Sequence, residues 1–360
     1  PADLRPIALV ALAEDLRPDA HAALAAFWAE GVTIKVLSGD NSETVLAIAK
    51  EAGFPANARA IGGGELAGLS EAEFARAVRE VTVFGRVDPE QKERIIRELR
   101  GQGHTVGMIG DGANDILAMK AAQLAIAMAS GSPATRGAAD VVLLRDTFAT
   151  LPAMLGAGRQ IVNAMHTLID LFLIRDIATI ELIAVVGFID LAFPLLPPQV
   201  TIAALLTVGI PSLFLVGWAP PRKPPPSSLR GVVAATLALG SACGLSAILA
   251  DLVVSLVLNL DLAETRTAVV SALVLSGLIA LVLLIWRQRA EAGRLGPSPR
   301  VGVLAAASFG AYLLALHLPT IAQLFAIEPI SALAWLAVLG AVAVSFGGMA
   351  ILRRSRFDWW

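Results

Sequence analysis

Cysteine is almost missing from this chain: its 360 residues include one, Cys243, set in an apolar run. That excludes a disulfide framework and a thiolate metal cluster. Charge is scarce as well. Only 16% of residues are Asp, Glu, Lys or Arg, and the formal net charge of −2 offers no basic footprint for nucleic acid. No signal peptide is visible. The chain opens on Pro1, in the middle of what reads as a domain, so a piece of a longer protein is expected.

What the chain has in excess is aliphatic surface. Hydrophobic residues make up 56% and the mean hydropathy is +0.71. Ordinary soluble domains sit near about 45–50% apolar even with Gly counted. The excess is uneven. Residues 1–165 carry most of the acids and bases, whereas 166–360 are mostly Leu, Ala, Val and Ile. A water-soluble domain followed by a membrane-embedded one is expected, with the boundary at 165.

Within the soluble part, short apolar runs alternate with helix-like segments. Strands are expected at 7–12, 33–38, 81–84, 105–109, 124–128 and 141–144. Helices are expected over Asp15–Glu30, Asn41–Glu51, from Ser70 with Glu73 as its capping partner, from Asp88-Pro89, and over 116–122. Gly62-Gly63-Gly64 reads as a loop. Such alternation predicts a doubly wound parallel sheet.

Polar constellations fall at strand ends, where open α/β sheets place ligands. They are Ser38-Gly39-Asp40, Lys92, and Asp111 with Asn114 and Asp115. Each alone is unremarkable: a helix cap, a solvated lysine, a turn. Together they suit a phosphoryl group and its metal. A hydroxyl and helix-start amides hold phosphate oxygens, a lysine neutralises their charge, and carboxylates hold Mg²⁺.

At these residues the sequence resembles the P-type ion-translocating ATPases of the haloacid dehalogenase superfamily. The resemblance rests on Leu37-Ser38-Gly39-Asp40, on Phe84 through Lys92, and on Gly110-Asp111-Gly112-Ala113-Asn114-Asp115; Glu14 through Pro18 adds to it. It implies a Rossmann-like, haloacid-dehalogenase-like α/β cytoplasmic domain with a parallel sheet, followed by an all-α transmembrane domain of six helices. By position, Ser38 would bond the transferred phosphoryl group, Lys92 would neutralise it, and Asp111 would ligate Mg²⁺. Asn114 and Asp115 would complete the shell, with Gly39 and Asp40 beside the phosphate. The family usually has threonine at Ser38. Its nucleophile lies in an Asp-Lys-Thr-Gly-Thr sequence that does not occur here, nor does the Thr-Gly-Glu loop of its actuator domain or a nucleotide-binding domain. The resemblance therefore implies a C-terminal half, with a missing N-terminal half as partner and ATP bound mainly by that half.

Six apolar stretches follow, at about 168–189, 199–219, 232–258, 267–286, 301–318 and 329–352. Each approaches the roughly 20 residues that span a bilayer. Stretches 219–230, 287–300 and 353–360 hold the basic residues, while the opposite loops carry almost nothing basic except Arg266. Basic loops and both ends are therefore expected on the cytoplasmic side of a bacterial plasma membrane. The first stretch, a candidate mechanical link, contains Asp170, Arg175, Asp176 and Glu181. Intramembrane charges usually serve function. Asp176 reads either as an ion ligand or as the partner of Arg175, and Glu181 is the leading ion-ligand candidate. In the second stretch, Thr207 and Pro211 bracket a break in the helical hydrogen bonding. Calcium pumps carry a similar Thr-Asp-Gly-Leu-Pro, with Val208 here replacing the aspartate, which resembles divergent bacterial calcium or cation pumps. Asp251, in the third stretch, is a lesser candidate.

The function expected is ATP-driven cation transport. The alternatives are a non-catalytic membrane protein whose domain senses Mg²⁺ and phosphate, and a membrane-tethered phosphatase. The last requires a nucleophilic aspartate before Ser38, for which Asp3 and Asp15 have poor flanking sequence.

Overall fold

The computed structural model describes residues 16–145, 147, 149–189, 192–221, 229–290 and 298–356. The strand expected at 7–12 and the basic residues Arg222, Lys223 and Arg294 lie outside the described residues. The chain forms two compact units, Pro1–Leu155 and Gly156–Trp360. The division precedes residue 165 because Leu151 and Met154 pack with Ile126, Met128 and Leu143 of the first unit.

In the first unit the elements run α1 (Ala20–Ala29), β1 (Val36–Leu37), α2 (Ser42–Glu51), β2 (Ala60–Gly62), α3 (Gly63–Ala67), α4 (Glu71–Glu80) and β3 (Val83–Gly85). Then come α5 (Pro89–Gly101), β4 (Gly107–Gly110), α6 (Ile116–Ala121), β5 (Leu124–Met128), α7 (Pro133–Ala138) and β6 (Val141–Leu143). The strands form two three-stranded parallel sheets, ordered β1-β3-β2 and β4-β5-β6. The strand expected at 33–38 is shortened to Val36–Leu37, because the ladder with β3 is its one pairing among the described residues.

Local chemistry sets the helix starts. The Asn41 carboxamide accepts from the Glu43 N–H at 2.8 Å and begins α2. Glu73 accepts from the N–H and the hydroxyl of Ser70, and those bonds hold its carboxyl below the usual glutamate range. Asp88 accepts from the Gln91 N–H at 2.7 Å, the Gln91 side chain returns the bond, and Pro89 occupies the first turn of α5. At the far end of α4, Lys35 donates to the Arg79 and Val81 carbonyls, and burial lowers its pKa to about 8. Gly62-Gly63-Gly64 is not a loop. It closes β2 and opens α3, since a Cβ on Gly63 would stand 2.2 Å from the Arg86 carbonyl oxygen.

α5 spans both sheets. Ile95 belongs to the core under β2 and β3, and Ile96 to the core under β4 and β5. Leu37 of β1 packs against both cores. The edges β1 and β4 thus lie toward each other, and neither has a second partner strand among the described residues.

The second unit is helical. α8 (Thr150–Phe188) leads into it, followed by α9 (Pro197–Ala204), a π turn (Leu205–Gly209), α10 (Ile210–Trp218) and α11 (Leu229–Leu252). A second π turn (Val253–Val257) precedes α12 (Leu262–Ala290), α13 (Pro299–His317), α14 (Pro319–Phe325) and α15 (Ala332–Arg356). Among the described residues, five segments are long and apolar enough to cross a membrane: Pro197–Trp218, Val233–Val257, Leu262–Ala290, Pro299–His317 and Ala332–Ile351. The stretch 168–189 is not among them, because it carries Asp170, Arg175, Asp176 and Glu181. α8 and α11 meet closely at Gly240 and Gly244, where a Cβ would stand 2.8 Å from Ile177 Cβ and 3.2 Å from Ala178 Cα. Small residues four apart are how membrane helices approach without a hydrophobic drive.

Gly85 is a tight backbone contact on the route to the site, since its Cβ would stand 2.4 Å from Ser42 Cα. Gly85→Ala is expected to cost about 2 kcal/mol in urea unfolding. Gly101→Ala, with nothing within 4 Å, is expected to leave stability unchanged or slightly raised.

Candidate functional site

The loop leaving β1 is stitched to the loop leaving β3. The Ser38 N–H donates to the Phe84 carbonyl at 2.9 Å, the Val87 N–H to the Ser38 carbonyl at 3.2 Å, and the Arg86 N–H to the Asp40 carbonyl at 2.8 Å. Arg86 takes the left-handed φ of 51°, which turns the chain into the Asp88 cap. The Ser38 hydroxyl accepts from the Asp40 N–H at 3.1 Å and donates to its carboxylate at 3.3 Å. Ser38, Gly39 and Asp40 therefore stand beside the start of α5.

Lys92 lies one turn into α5. It is buried, and its ammonium donates to Asp115 Oδ1 at 2.8 Å, with side-chain exposures of 9% and 13%. A pair this enclosed persists only when both charges are present, and losing one partner costs about 3–5 kcal/mol. Asp115 reaches Lys92 because Gly110 has no Cβ, which would fall 2.6 Å from Asp115 Cβ.

Asp111 follows β4 directly. Its carbonyl accepts from the Ser132 N–H at 3.0 Å, and Gly131 lies so close that a Cβ would be 2.9 Å from that carbonyl oxygen. The loop after β5 thus fixes the Asp111 turn, with Ser132 capping α7 through the Thr135 N–H at 3.1 Å. Sequence reasoning did not include Gly131 and Ser132 in the site; the Ser132-Pro133 helix start was the available signal. The Asp111 and Asn114 side chains are exposed, and the Asp111 carboxylate has no bonding partner among the described residues.

The geometry joins Lys92 to Asp115 and Ser38 to the loop before α5. No hydrogen bond or ion pair among the described residues joins Ser38 to Asp111, which follow β1 and β4, the sheet edges that lie toward each other. Mg²⁺ is commonly held by one or two carboxylates with waters and substrate phosphate. Asp111 offers one such carboxylate, while Asp115 is committed to Lys92. No group of three or more His, Cys, Asp or Glu gathers among the described residues. The donors fit a Mg²⁺ site as one side of it.

In the helical unit, a cavity of about 30 Å³ is lined by Thr179 and Arg175 of α8, Thr207 of the first π turn, Cys243 of α11, and Leu273 and Gly277 of α12. Thr207 donates to the Ala203 carbonyl at 2.8 Å, and Pro211, one turn on, has no N–H for the Thr207 carbonyl. Glu181 does not line the cavity. It turns to α11, accepting from the Ser241 hydroxyl at 2.5 Å, with Gly244 giving it room. Asp176 accepts from Arg175 at 2.6 Å. Asp170 accepts from Thr236 at 3.2 Å.

The parallel sheets fit a haloacid dehalogenase-like hydrolase domain, carried here by a chain rich in apolar helices. The family model of that description matches residues 1–123. The calcium-transporting ATPase CtpE of Mycobacterium bovis is 38% identical over 68% of this chain and 32% of its own length. CtpE of Mycolicibacterium smegmatis is 32% identical over the whole chain and 45% of its own length. A calcium-transporting ATPase of Bacillus subtilis is 31% identical over 77% of this chain and 32% of its own. The chain spans less than half the length of each. It is similar over its whole length to a cation-transporting ATPase, and its five long apolar segments are those of an integral membrane protein.

The enclosure of Lys92 and Asp115 makes a definite expectation. Lys92→Met should lower stability by about 3 kcal/mol in urea unfolding. Adding Asp115→Leu should restore most of it, and a double-mutant cycle with no coupling between the two would contradict the pair.

Proposed function

We propose that this chain supplies the phosphate-binding and membrane portions of an ATP-driven cation pump, with a preceding portion of the protein contributing the phosphorylated aspartate. One observation carries the reading. Ser38 and Asp111 follow β1 and β4, the two edge strands that lie toward each other, whereas the other edges, β2 and β6, lie at the far sides of the two sheets. A parallel strand added between β1 and β4 would bring a side chain from its carboxyl end into the space bounded by Ser38, Lys92 and Asp111. The shortness of the chain beside its relatives supports an origin of that strand in the rest of the protein.

In this reading the Ser38 hydroxyl gives up Asp40 and donates to a phosphoryl oxygen. Lys92 offsets the charge that spreads over those oxygens during transfer. Asp115 holds Lys92 in place, and Asn114 closes the rim. Asp111 would hold Mg²⁺, which would supply positive charge to offset that of the phosphoryl oxygens. ATP is bound mainly by the preceding portion.

The stretch 168–189 is assigned as a sixth crossing, its charges sheltered by α11 and by helices of the preceding portion. Six crossings put the soluble domain and the basic loops on the cytoplasmic side. The cavity beside Thr207, with the carbonyl released by Pro211, is the part of the cation path this chain supplies. The transported cation is taken to be Ca²⁺ from the names of the relatives. Asp176 and Glu181 are assigned to supporting that path, Glu181 from its bond to Ser241.

The test is Asp111→Asn in the full-length protein. Phosphoenzyme formation from γ-labelled ATP should fall at least a hundredfold, at unchanged thermal stability. Unaltered labelling would remove Asp111 from the metal site.

A further inference from the structure

α11 carries a carboxyl that neither the phosphate site nor the cavity uses. Asp251 is the next-to-last residue of α11, directly before the π turn Val253–Val257. It is 3% exposed, and its Oδ2 has no hydrogen-bond partner among the described residues. π turns recur at functional positions, because the wider ring disturbs the regular carbonyl ladder.

Its surroundings are aliphatic. Ala250 and Val254 cluster with Ala268 and Ala272 of α12 and with Ala334 and Val338 of α15. The neighbouring elements bring no charged side chain into bonding contact with it among the described residues. On α12, Glu264 accepts from the Ser331 N–H and Arg266 donates to the Phe193 carbonyl, while Arg287 and Arg289 lie in the last turn. α15 has no titratable residue before Arg353. On α8, Glu181 is bonded to Ser241, Asp176 to Arg175, and Asp170 to Thr236. Asp261 caps α12 through the Glu264 N–H, and the Glu328 N–H donates to Thr267.

A carboxyl so placed can be satisfied by a metal ion or by a proton. Hard metal cations require about six to eight oxygens, or an octahedral shell rich in water. Asp251 belongs to no group of three or more His, Cys, Asp or Glu among the described residues, and the turns beside it pack through alanines and valines. An ionised carboxylate would bear a desolvation cost that nothing nearby offsets. A proton removes the charge and needs no further ligand. We propose that Asp251 is an intramembrane proton-binding site, separate from the cavity beside Thr207. Occupancy by a proton follows from the packing of α11, α12 and α15, and is independent of which ion the protein moves.

The experiment is infrared spectroscopy of the full-length protein in lipid bilayers at neutral pH, comparing wild type with D251N and D251L. The wild type should show the carbonyl stretch of a neutral carboxylic acid, shifting only slowly in heavy water. Both variants should lose that band while keeping the helical amide signal. D251L suits the apolar site, so it guards against misfolding of D251N. A wild-type spectrum without a neutral-acid band, or one whose band persists unchanged in a folded variant, overturns the proposal. Neither outcome bears on phosphorylation, so this site and the pump reading fail separately.

Discussion

The Lys92–Asp115 ion pair is the contact on which the first unit depends. It runs from the helix after β3 to the turn after β4, and so from one three-stranded sheet to the other. No strand pairing joins the sheets among the described residues. What holds them is α5, with Ile95 and Ile96 on either side of the divide, Leu37 packed on both cores, and this enclosed charge pair. A buried pair is seldom kept for stability alone, since apolar replacement is often neutral or better. The role proposed for Lys92 at a phosphoryl group would give the pair a chemical reason to remain.

The same accounting separates the polar groups of the helical unit. Most buried hydroxyls bond a carbonyl one turn back, as Thr207 does to Ala203, Ser246 to Ala242 and Ser345 to Ala341. These are internal solutions to the absence of water. Glu181 is accommodated by the small face of α11, where Gly240 and Gly244 let α8 approach and Ser241 donates to it. Asp251 stands apart because its neighbours are aliphatic, and its proposed proton follows from that contrast.

Much of this was legible in the sequence. Periodicity and capping chemistry located α2, α4 and α5, and the run Gly110 through Asp115 announced a strand, an acidic turn and a helix. Five of the apolar stretches coincide with long apolar helices, because length and composition decide them locally. The losses have a common cause. β2, α3 and α7 are short, and they exist because of tertiary contacts such as Gly63 under the Arg86 carbonyl. Sequence order could not reveal that β1 and β4 are both edges, nor that Gly131 and Ser132 fix the Asp111 turn. The direction in which Glu181 points was equally hidden: helical spacing names a face, not the neighbour that covers it.

Those open edges support the central claim, that a strand from the preceding portion of the protein completes the sheet. In the ladder with β3, Val36 and Ser38 give their N–H groups to Thr82 and Phe84, so Leu37 between them turns its own N–H to the open side. Residue-resolved amide hydrogen exchange at Leu37, in this chain and in the full-length protein, tests the claim directly. The account requires rapid exchange in the chain alone and protection by at least a hundredfold in the full-length protein. Equal exchange rates in the two would contradict it.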